Sequence, residues 1–233
     1  MKNLQRLVLL FLYISVHQSM SAQDWANLNR FKKQNDSLGL PTEGEQRVVF
    51  MGNSITEGWP NSDPEYFDNP SYINRGIGGQ TTPQMLLRFR ADVIDLEPKA
   101  VVILAGTNDI AGNTGPMTLE EIRDNIISMA ELAKVNGIQV IISSVLPAYD
   151  YTWKPGLEPN IKIPKLNAML KDYAENNGIL YLDYFTAMAD DRNGLPIELA
   201  EDGVHPTKEG YMIMKKLAEE AIQTVLNKGN TQN

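Results

Sequence analysis

Short apolar runs alternate along the chain with longer stretches whose apolar residues recur every three or four positions. Most of the runs are rich in Val, Ile, Leu or aromatic residues, which is typical of buried strands. We predict five strands, at residues 47–53, 71–76, 99–106, 138–145 and 179–185. We predict helices at residues 82–96, 118–136, 160–177 and 206–227. This alternation predicts an α/β fold in which helices cover both faces of a five-stranded, mainly parallel sheet.

Cap and stop residues mark several of these elements. Thr118 and Glu121 have the spacing of a capping box, which predicts a helix start. Gly137 and Gly178 each follow a predicted helix and are typical of a helix end. The cap and stop residues therefore agree with the hydrophobic pattern.

The alternating pattern occupies one region of the chain, residues 47–228, which we assign to a single domain. Before it, residues 23–46 are predicted to form a short helix at Asp24–Leu38 and a polar connector. After it, residues 229–233 are predicted to be a frayed tail.

The first 22 residues have the features of a signal peptide. Lys2 and Arg6 precede an apolar run from residue 7 to residue 16, and small residues follow it. A run of ten residues is too short to cross a hydrocarbon core of roughly 30 Å as a helix. We therefore expect a periplasmic or secreted bacterial protein without integral membrane association.

Composition excludes several classes of partner and site. Loss of Lys2 and Arg6 would change the formal charge from −8 to −10, which repels nucleic acids and anionic lipids. The chain has no cysteine and two histidines, of which His17 lies in the predicted signal peptide. Disulfides and thiolate metal sites are thereby excluded, and we expect no metal and no cofactor.

A glycine or polar residue stands just beyond each of the first three predicted strands. Ser54 follows the first strand, Gly79 the second and Asn108 the third. The carboxyl ends of parallel strands lie at one edge of the sheet, where open α/β folds bind their ligands. We therefore expect the three residues to lie close together.

Each of these residues has a structural and a functional interpretation. Ser54 is either a helix cap or a nucleophile. Gly79 is either a turn residue or a bare backbone N–H for a substrate oxygen, and Asn108 is either a turn residue or a neutral amide donor. Their shared placement at one edge favours catalysis.

His205 is the histidine that remains outside the predicted signal peptide. A serine hydroxyl needs a base that ionises near neutral pH, and the imidazole reference pKa of about 6.5 fits this need. Asp202 precedes His205 by three residues, so a turn can bring its carboxylate to the imidazole Nδ1. The alternative is that both are loop residues, His205 because it precedes Pro206 and Asp202 because it stands beside Gly203.

Four blocks along the chain resemble, in order, the sequence blocks of the SGNH (GDSL-type) hydrolases. They are Gly52-Asn53-Ser54-Ile55, Gly79, Gly106-x-Asn108 and Asp202-x-x-His205. The segment from Asn74 to Thr82 is also similar to the catalytic subunits of platelet-activating-factor acetylhydrolase type Ib and related bacterial acetyl-esterases. The resemblance implies a three-layer, flavodoxin-like fold.

The resemblance also implies a role for each matched residue. Ser54 would be the nucleophile, His205 its general base and Asp202 the group that orients the imidazole. The Ser54 and Gly79 N–H groups and the Asn108 side chain would form an oxyanion hole. The chain departs from the family's usual wording at Asn53, where Asp is common.

These implications predict a secreted serine esterase that acts through an acyl-enzyme on short acyl esters, chiefly acetyl esters of carbohydrates. Its partner would be a small-molecule or glycan ester, with no nucleic acid. Lipid or phospholipid acyl hydrolysis and a catalytically silent glycan-binding protein stay open as alternatives. Four aromatic residues are candidates either for lining a sugar or acyl site or for anchoring loops: Trp59, Tyr149, Tyr151 and Trp153.

Overall fold

The five predicted strands pair into one fully parallel sheet. The computed structural model describes residues 24–230, so the predicted signal peptide lies outside the described residues. The sheet order is β2-β1-β3-β4-β5, as in flavodoxin-like folds. The strands are β1 (Val48–Gly52), β2 (Tyr72–Gly76), β3 (Ala100–Leu104), β4 (Gln139–Ser143) and β5 (Leu180–Leu182). The predicted fold class is confirmed.

Strand register brings three chain segments to the same edge of the sheet. Gly52 at the end of β1 pairs with Gly76 of β2 on one side and with Leu104 of β3 on the other. The segments that follow these strands therefore leave the sheet at one level. This places the residues after Gly52, Gly76 and Leu104 beside one another.

Helices cover both faces of the sheet, which makes three layers. The α-helices are α1 (Lys32–Leu38), α2 (Ser54–Ser62), α3 (Pro64–Phe67), α4 (Thr82–Asp92), α5 (Thr107–Ile110), α6 (Leu119–Val135), α7 (Pro159–Asn176), α8 (Tyr184–Met188) and α9 (Lys208–Asn230). On one face α4, α6 and α7 bury apolar residues, and on the other α2, α3, α8 and α9 do so. Because both faces are covered, β1 and β3 are buried along their whole length and read as continuous apolar runs.

The strand side chains alternate between the two cores. Val49 and Met51 of β1 face the core under α4, α6 and α7. Val48 and Phe50 face the opposite core, with the helix α9 residues Met214 and Ile222 among others. This alternation follows from the pleat of a strand, and it lets one short strand contribute side chains to both cores.

Two elements are shorter in the structure than the sequence predicted. The predicted strand at 179–185 ends at Leu182, because Asp183 caps α8 through its bond from the Thr186 N–H. The predicted helix at 24–38 is confined to Lys32–Leu38. Before this helix, the Asp24 carboxylate accepts hydrogen bonds from the N–H groups of Leu28 and Asn29, and such bonds compete with helix formation.

Other helix ends also differ from the prediction, in either direction. The predicted helix at 82–96 ends at Asp92 and is followed by a 3₁₀ turn at Ile94–Leu96. Helix α9 reaches Asn230, beyond its predicted end at residue 227. The capping box of Thr118 and Glu121 is confirmed, with the Glu121 N–H bonded to the threonine Oγ1 at 3.2 Å.

Four short helices, α2, α3, α5 and α8, were not predicted from the pattern. Helix α2 carries the nucleophile candidate and contains Gly58 and Pro60, which weaken a helical signal. Across residues 24–230, no helix has the length and apolar content to span a bilayer.

Candidate active site

Ser54 is placed at the first position of α2, where β1 gives way to that helix. The helix cap is the preceding residue, Asn53, whose side-chain oxygen accepts the N–H of Ile55 at 3.0 Å. The interpretation of Ser54 as the cap is therefore wrong. Asn53 performs this bond with an amide oxygen, so the Asp usual in related sequences is not needed for it.

The hydroxyl of Ser54 meets a residue 151 positions away. Its Oγ lies 2.9 Å from Nε2 of His205, and Nδ1 of His205 lies 2.7 Å from Oδ2 of Asp202. The imidazole is partly exposed, so water and a substrate can reach it. The structure brings together the three residues that the sequence proposed as a triad.

Asp202 is held by the turn that it caps. Its Oδ1 accepts the N–H groups of Val204 at 2.9 Å and His205 at 2.7 Å, which leaves Oδ2 for the imidazole. Partial burial raises the pKa of Asp202, but these hydrogen bonds and the one from the His205 side chain outweigh burial and lower it below 3.8. An ionised Asp202 favours the tautomer with the proton on Nδ1, so Nε2 faces Ser54 as an acceptor.

Gly78, Gly79 and Gln80 form a loop after β2, here called the oxyanion loop after the role that the sequence resemblance implies for Gly79. Gly79 has a φ of +74°, in the left-handed region that favours glycine. A Cβ on Gly78 would lie 3.8 Å from the Cβ of Ser54, so this loop runs directly beside the serine. The backbone of the loop is thereby able to approach a substrate oxygen.

Asn108 is the second residue of α5 and is buried. Its Nδ2 donates one hydrogen bond to the carbonyl oxygen of Gln80 at 2.9 Å. An amide nitrogen carries two hydrogens, so a second N–H is left for another acceptor. Ser54, Gly79 and Asn108 thus stand at the same sheet edge, as the strand ends predicted.

Comparison with known proteins decides the family. Residues 50–213 match the model of the GDSL-like lipase/acylhydrolase family. The chain belongs to this family. Its described part is a serine ester hydrolase domain, and the resemblance seen in the sequence is confirmed.

Relatives of the chain include both solved structures and curated proteins. A candidate acylhydrolase from Bacteroides fragilis is 51% identical, covers 88% of this chain and 99% of its own, and superposes with a TM-score of 0.85. A lipoprotein of unassigned function from Bacillus subtilis is 33% identical over 48% of this chain. An acetylxylan esterase from Xylanibacter ruminicola is 22% identical over 80% of this chain. The chain spans about half the length of these two curated relatives, 53% and 45%.

Trp59 is not at the active site of this GDSL-like domain. The structure corrects the candidate assignment, because Trp59 is only 2% exposed and stacks on Tyr66 and Tyr211 at centroid distances of 5.2 and 5.4 Å. It is part of the core beneath α2. Tyr151 is also buried, and its hydroxyl lies 2.8 Å from Oγ1 of Thr107.

Two aromatic candidates remain at the surface. Trp153 is 48% exposed, stacks on Tyr151 at 5.1 Å and has its ring centre 6.4 Å from that of His205. Tyr149 is 51% exposed, and the guanidinium of Arg192 lies 4.9 Å from its ring centre. Of the four candidates, Trp153 is the one that contacts the triad region through its ring.

Asp109 is a site neighbour that the sequence interpretation did not single out. Its Oδ1 accepts the N–H and hydroxyl of Thr82 at 2.8 and 2.6 Å, while Oδ2 has no hydrogen-bond partner among the described residues. Burial raises the pKa of Asp109, and the bonds from Thr82 only partly oppose this. The sequence feature that could have identified Asp109 is its position directly after Asn108.

Arg88 was also missed, because an arginine in an amphipathic helix is usually at the surface. It is fully buried. Its guanidinium donates to the Gly52 carbonyl at 3.0 Å, to Gln80 Oε1 at 2.6 Å and to Asp92 Oδ2 at 3.0 Å. Arg88 therefore ties the end of β1 to the oxyanion loop.

Proposed function

We propose that this chain is a secreted esterase that removes short acyl groups, chiefly acetyl, from a carbohydrate. The observation that carries the esterase chemistry is the continuous hydrogen-bonded series from Ser54 through His205 to Asp202, at 2.9 and 2.7 Å. A pure glycan-binding protein has no need of this series.

The arrangement supports a two-step reaction. His205 Nε2 takes the hydroxyl proton as Ser54 Oγ attacks the ester carbonyl, and Asp202 stabilises the imidazolium that forms. The N–H groups of Ser54 and Gly79 and the free amide N–H of Asn108 would donate to the tetrahedral oxyanion. His205 then gives the proton to the leaving alcohol, and the acyl group stays on Ser54.

The second step reverses these roles with water as the nucleophile. His205 takes a proton from water and the hydroxide adds to the acyl carbonyl. The same N–H groups donate hydrogen bonds to the oxyanion that forms. Collapse expels Ser54 Oγ, which regains its proton from His205. The products are a carboxylic acid and the free enzyme.

Trp153 supports a carbohydrate as the alcohol part of the substrate. Its exposed ring lies beside His205, the residue that must protonate the leaving alcohol. An aromatic face of this kind suits the apolar face of a sugar ring. The acetylxylan esterase relative, named for an acetylated polysaccharide, adds support for this substrate class.

Two substrate series test the proposal. In p-nitrophenyl esters from acetyl to octanoyl, we expect kcat/KM to fall with acyl length. A preference for long chains would contradict the proposal in favour of lipid esters.

On an acetylated xylo-oligosaccharide, Trp153→Ala should raise KM while leaving p-nitrophenyl acetate hydrolysis nearly unchanged. Trp153→Phe keeps an aromatic face and should restore most of the affinity. Equal effects of Trp153→Ala on both substrates would contradict a sugar-binding role.

Secretion is part of the proposal and rests on residues 1–22. The basic start and the apolar run support export, and the lipoprotein relative is consistent with an envelope location. Expression of the full chain in a bacterium should yield a shortened protein in the periplasm or medium. An uncleaved chain in the cytoplasm would contradict this part alone.

A further inference from the structure

Residues 24–31, here called the N-terminal arm, lie outside the family match but contact the oxyanion loop. The carbonyl oxygen of Ala26 accepts a hydrogen bond from Nε2 of Gln80 at 2.8 Å. Both residues are 3% exposed, so water does not compete for this bond. The arm is thereby joined to the last residue of the oxyanion loop.

Gln80 connects this arm contact to an oxyanion donor. Its side-chain oxygen accepts from Nε of Arg88 at 2.6 Å, and its backbone carbonyl accepts from Nδ2 of Asn108 at 2.9 Å. Both ends of the buried amide are satisfied, which restricts its orientation. The position of the Asn108 amide therefore depends on a residue that the arm holds.

Glu57 makes a second connection, on the other side of the loop. Its Oε2 accepts the N–H of Gly78 at 2.8 Å, and its Oε1 pairs with the arm residue Arg30 at 3.1 Å. The ion pair is exposed and contributes little by itself. The hydrogen bond to Gly78 directly restrains the backbone that leads into Gly79.

We propose that Gln80 and Glu57 are positioning residues for the oxyanion hole, and that the N-terminal arm holds both in place. This inference rests on the proposed esterase function. An oxyanion donor contributes fully only when it is already aimed at the developing charge. Loosening the loop should therefore lower kcat and leave KM nearly unchanged.

Substitutions at Gln80 and Glu57 separate these contacts. Gln80→Glu keeps an oxygen for Arg88 but replaces the donor that faces the Ala26 carbonyl, and Glu57→Ala removes the acceptor of the Gly78 N–H. Each should reduce kcat on p-nitrophenyl acetate about tenfold, less than the roughly 10²–10³-fold loss of an entire donor. Glu57→Gln retains an acceptor oxygen and should restore most of kcat.

Glu57→Ala also breaks the exposed ion pair with Arg30, so a second exposed ion pair away from the oxyanion loop provides the control. Arg90 forms an exposed pair with Asp95 at 3.8 Å, near the amino end of β3. Arg90→Ala should leave kcat unchanged. Urea unfolding of every variant provides the check that the compared proteins are folded.

Amide hydrogen exchange gives a readout that does not need catalysis. The N–H groups of Gly78 and Gly79 should exchange faster in Glu57→Ala and Gln80→Glu than in the parent protein. If the parent hydrolyses esters and both variants keep its kcat, the inference is overturned. If the parent hydrolyses no ester, the proposed function fails instead, and unchanged exchange in both variants would then overturn the inference separately.

Discussion

At the residue scale, two neighbouring side chains divide the work at the end of β1. Asn53 caps α2 through the N–H of Ile55, and Ser54 faces His205. Helix stability and nucleophilic chemistry thus belong to different residues. Each can be removed without the other.

Ser54→Ala should remove nearly all ester hydrolysis and change the free energy of unfolding by less than about 1 kcal/mol, because it takes away no helix cap. Asn53→Ala is the matched variant. It should lower the free energy of unfolding by about 0.5–2 kcal/mol and leave measurable turnover. Steady-state kinetics and urea unfolding check both, and turnover by the Ser54 variant would refute the nucleophile assignment.

His205 should make kcat/KM rise with pH, because only the neutral imidazole accepts the serine proton. Asp202, with its lowered pKa, stays ionised across the assay range. Asp202→Asn removes a negative charge that stabilises imidazolium, so the rising limb should move to lower pH and the plateau should fall. A kcat/KM profile that stays flat between about pH 5 and pH 8, with chemistry rate-limiting, would contradict the general-base role.

At the scale of elements, the site depends on three segments that end at one level. The register of β1 with β2 and β3 places the start of α2, the oxyanion loop and α5 side by side. Each segment supplies one donor to the proposed oxyanion hole. The donors are therefore positioned by strand pairing as well as by local turns.

Asn108→Ala should lower kcat about 10²–10³-fold with a smaller change in KM, since it removes a donor needed in the transition state. Gly79→Ala keeps the N–H but adds a Cβ where φ is +74°, so its loss should come from a displaced loop. Kinetics on p-nitrophenyl acetate measure both. A change confined to KM would contradict the oxyanion role of the altered residue.

At the scale of the whole molecule, buried charge makes stability depend on pH. Asp109 is 2% exposed, and burial raises its pKa above the ordinary 3.8. Between the unfolded and the raised native pKa, the native state binds more protons than the unfolded chain. The free energy of unfolding contributed by this group therefore falls as pH rises through that interval.

Asp109→Asn should remove this part of the pH dependence. Urea unfolding between pH 4 and pH 8 should show the parent losing stability relative to the variant as pH rises. The comparison uses the difference between the two proteins at each pH, so the other carboxylates cancel. An unchanged difference across the range would show that Asp109 titrates as it does in the unfolded chain.

The sequence by itself determined the fold class and the chain order of the five strands and the longer helices. Strands β1 and β3 are continuous apolar runs because both sheet faces are covered, and such runs are visible without coordinates. The stops at Gly137 and Gly178, which follow the C-caps of α6 and α7, and the cap at Thr118 depend on neighbours only a few residues away. Interactions of this kind are local, so a short window of consecutive residues contains all the groups that make them. The candidates Ser54, Gly79, Asn108, Asp202 and His205 were found because each belongs to a short motif.

Only the tertiary structure decided which side chains are at the site and which are beneath it. Trp59 and Trp153 both lie outside the strands and helices predicted from the sequence, yet one is buried against Tyr66 and Tyr211 and the other lies beside His205. The arm contact to Gln80 joins residues 54 positions apart and leaves no local pattern. Burial and long-range hydrogen bonds are properties of packed surfaces, so no window of consecutive residues contains them.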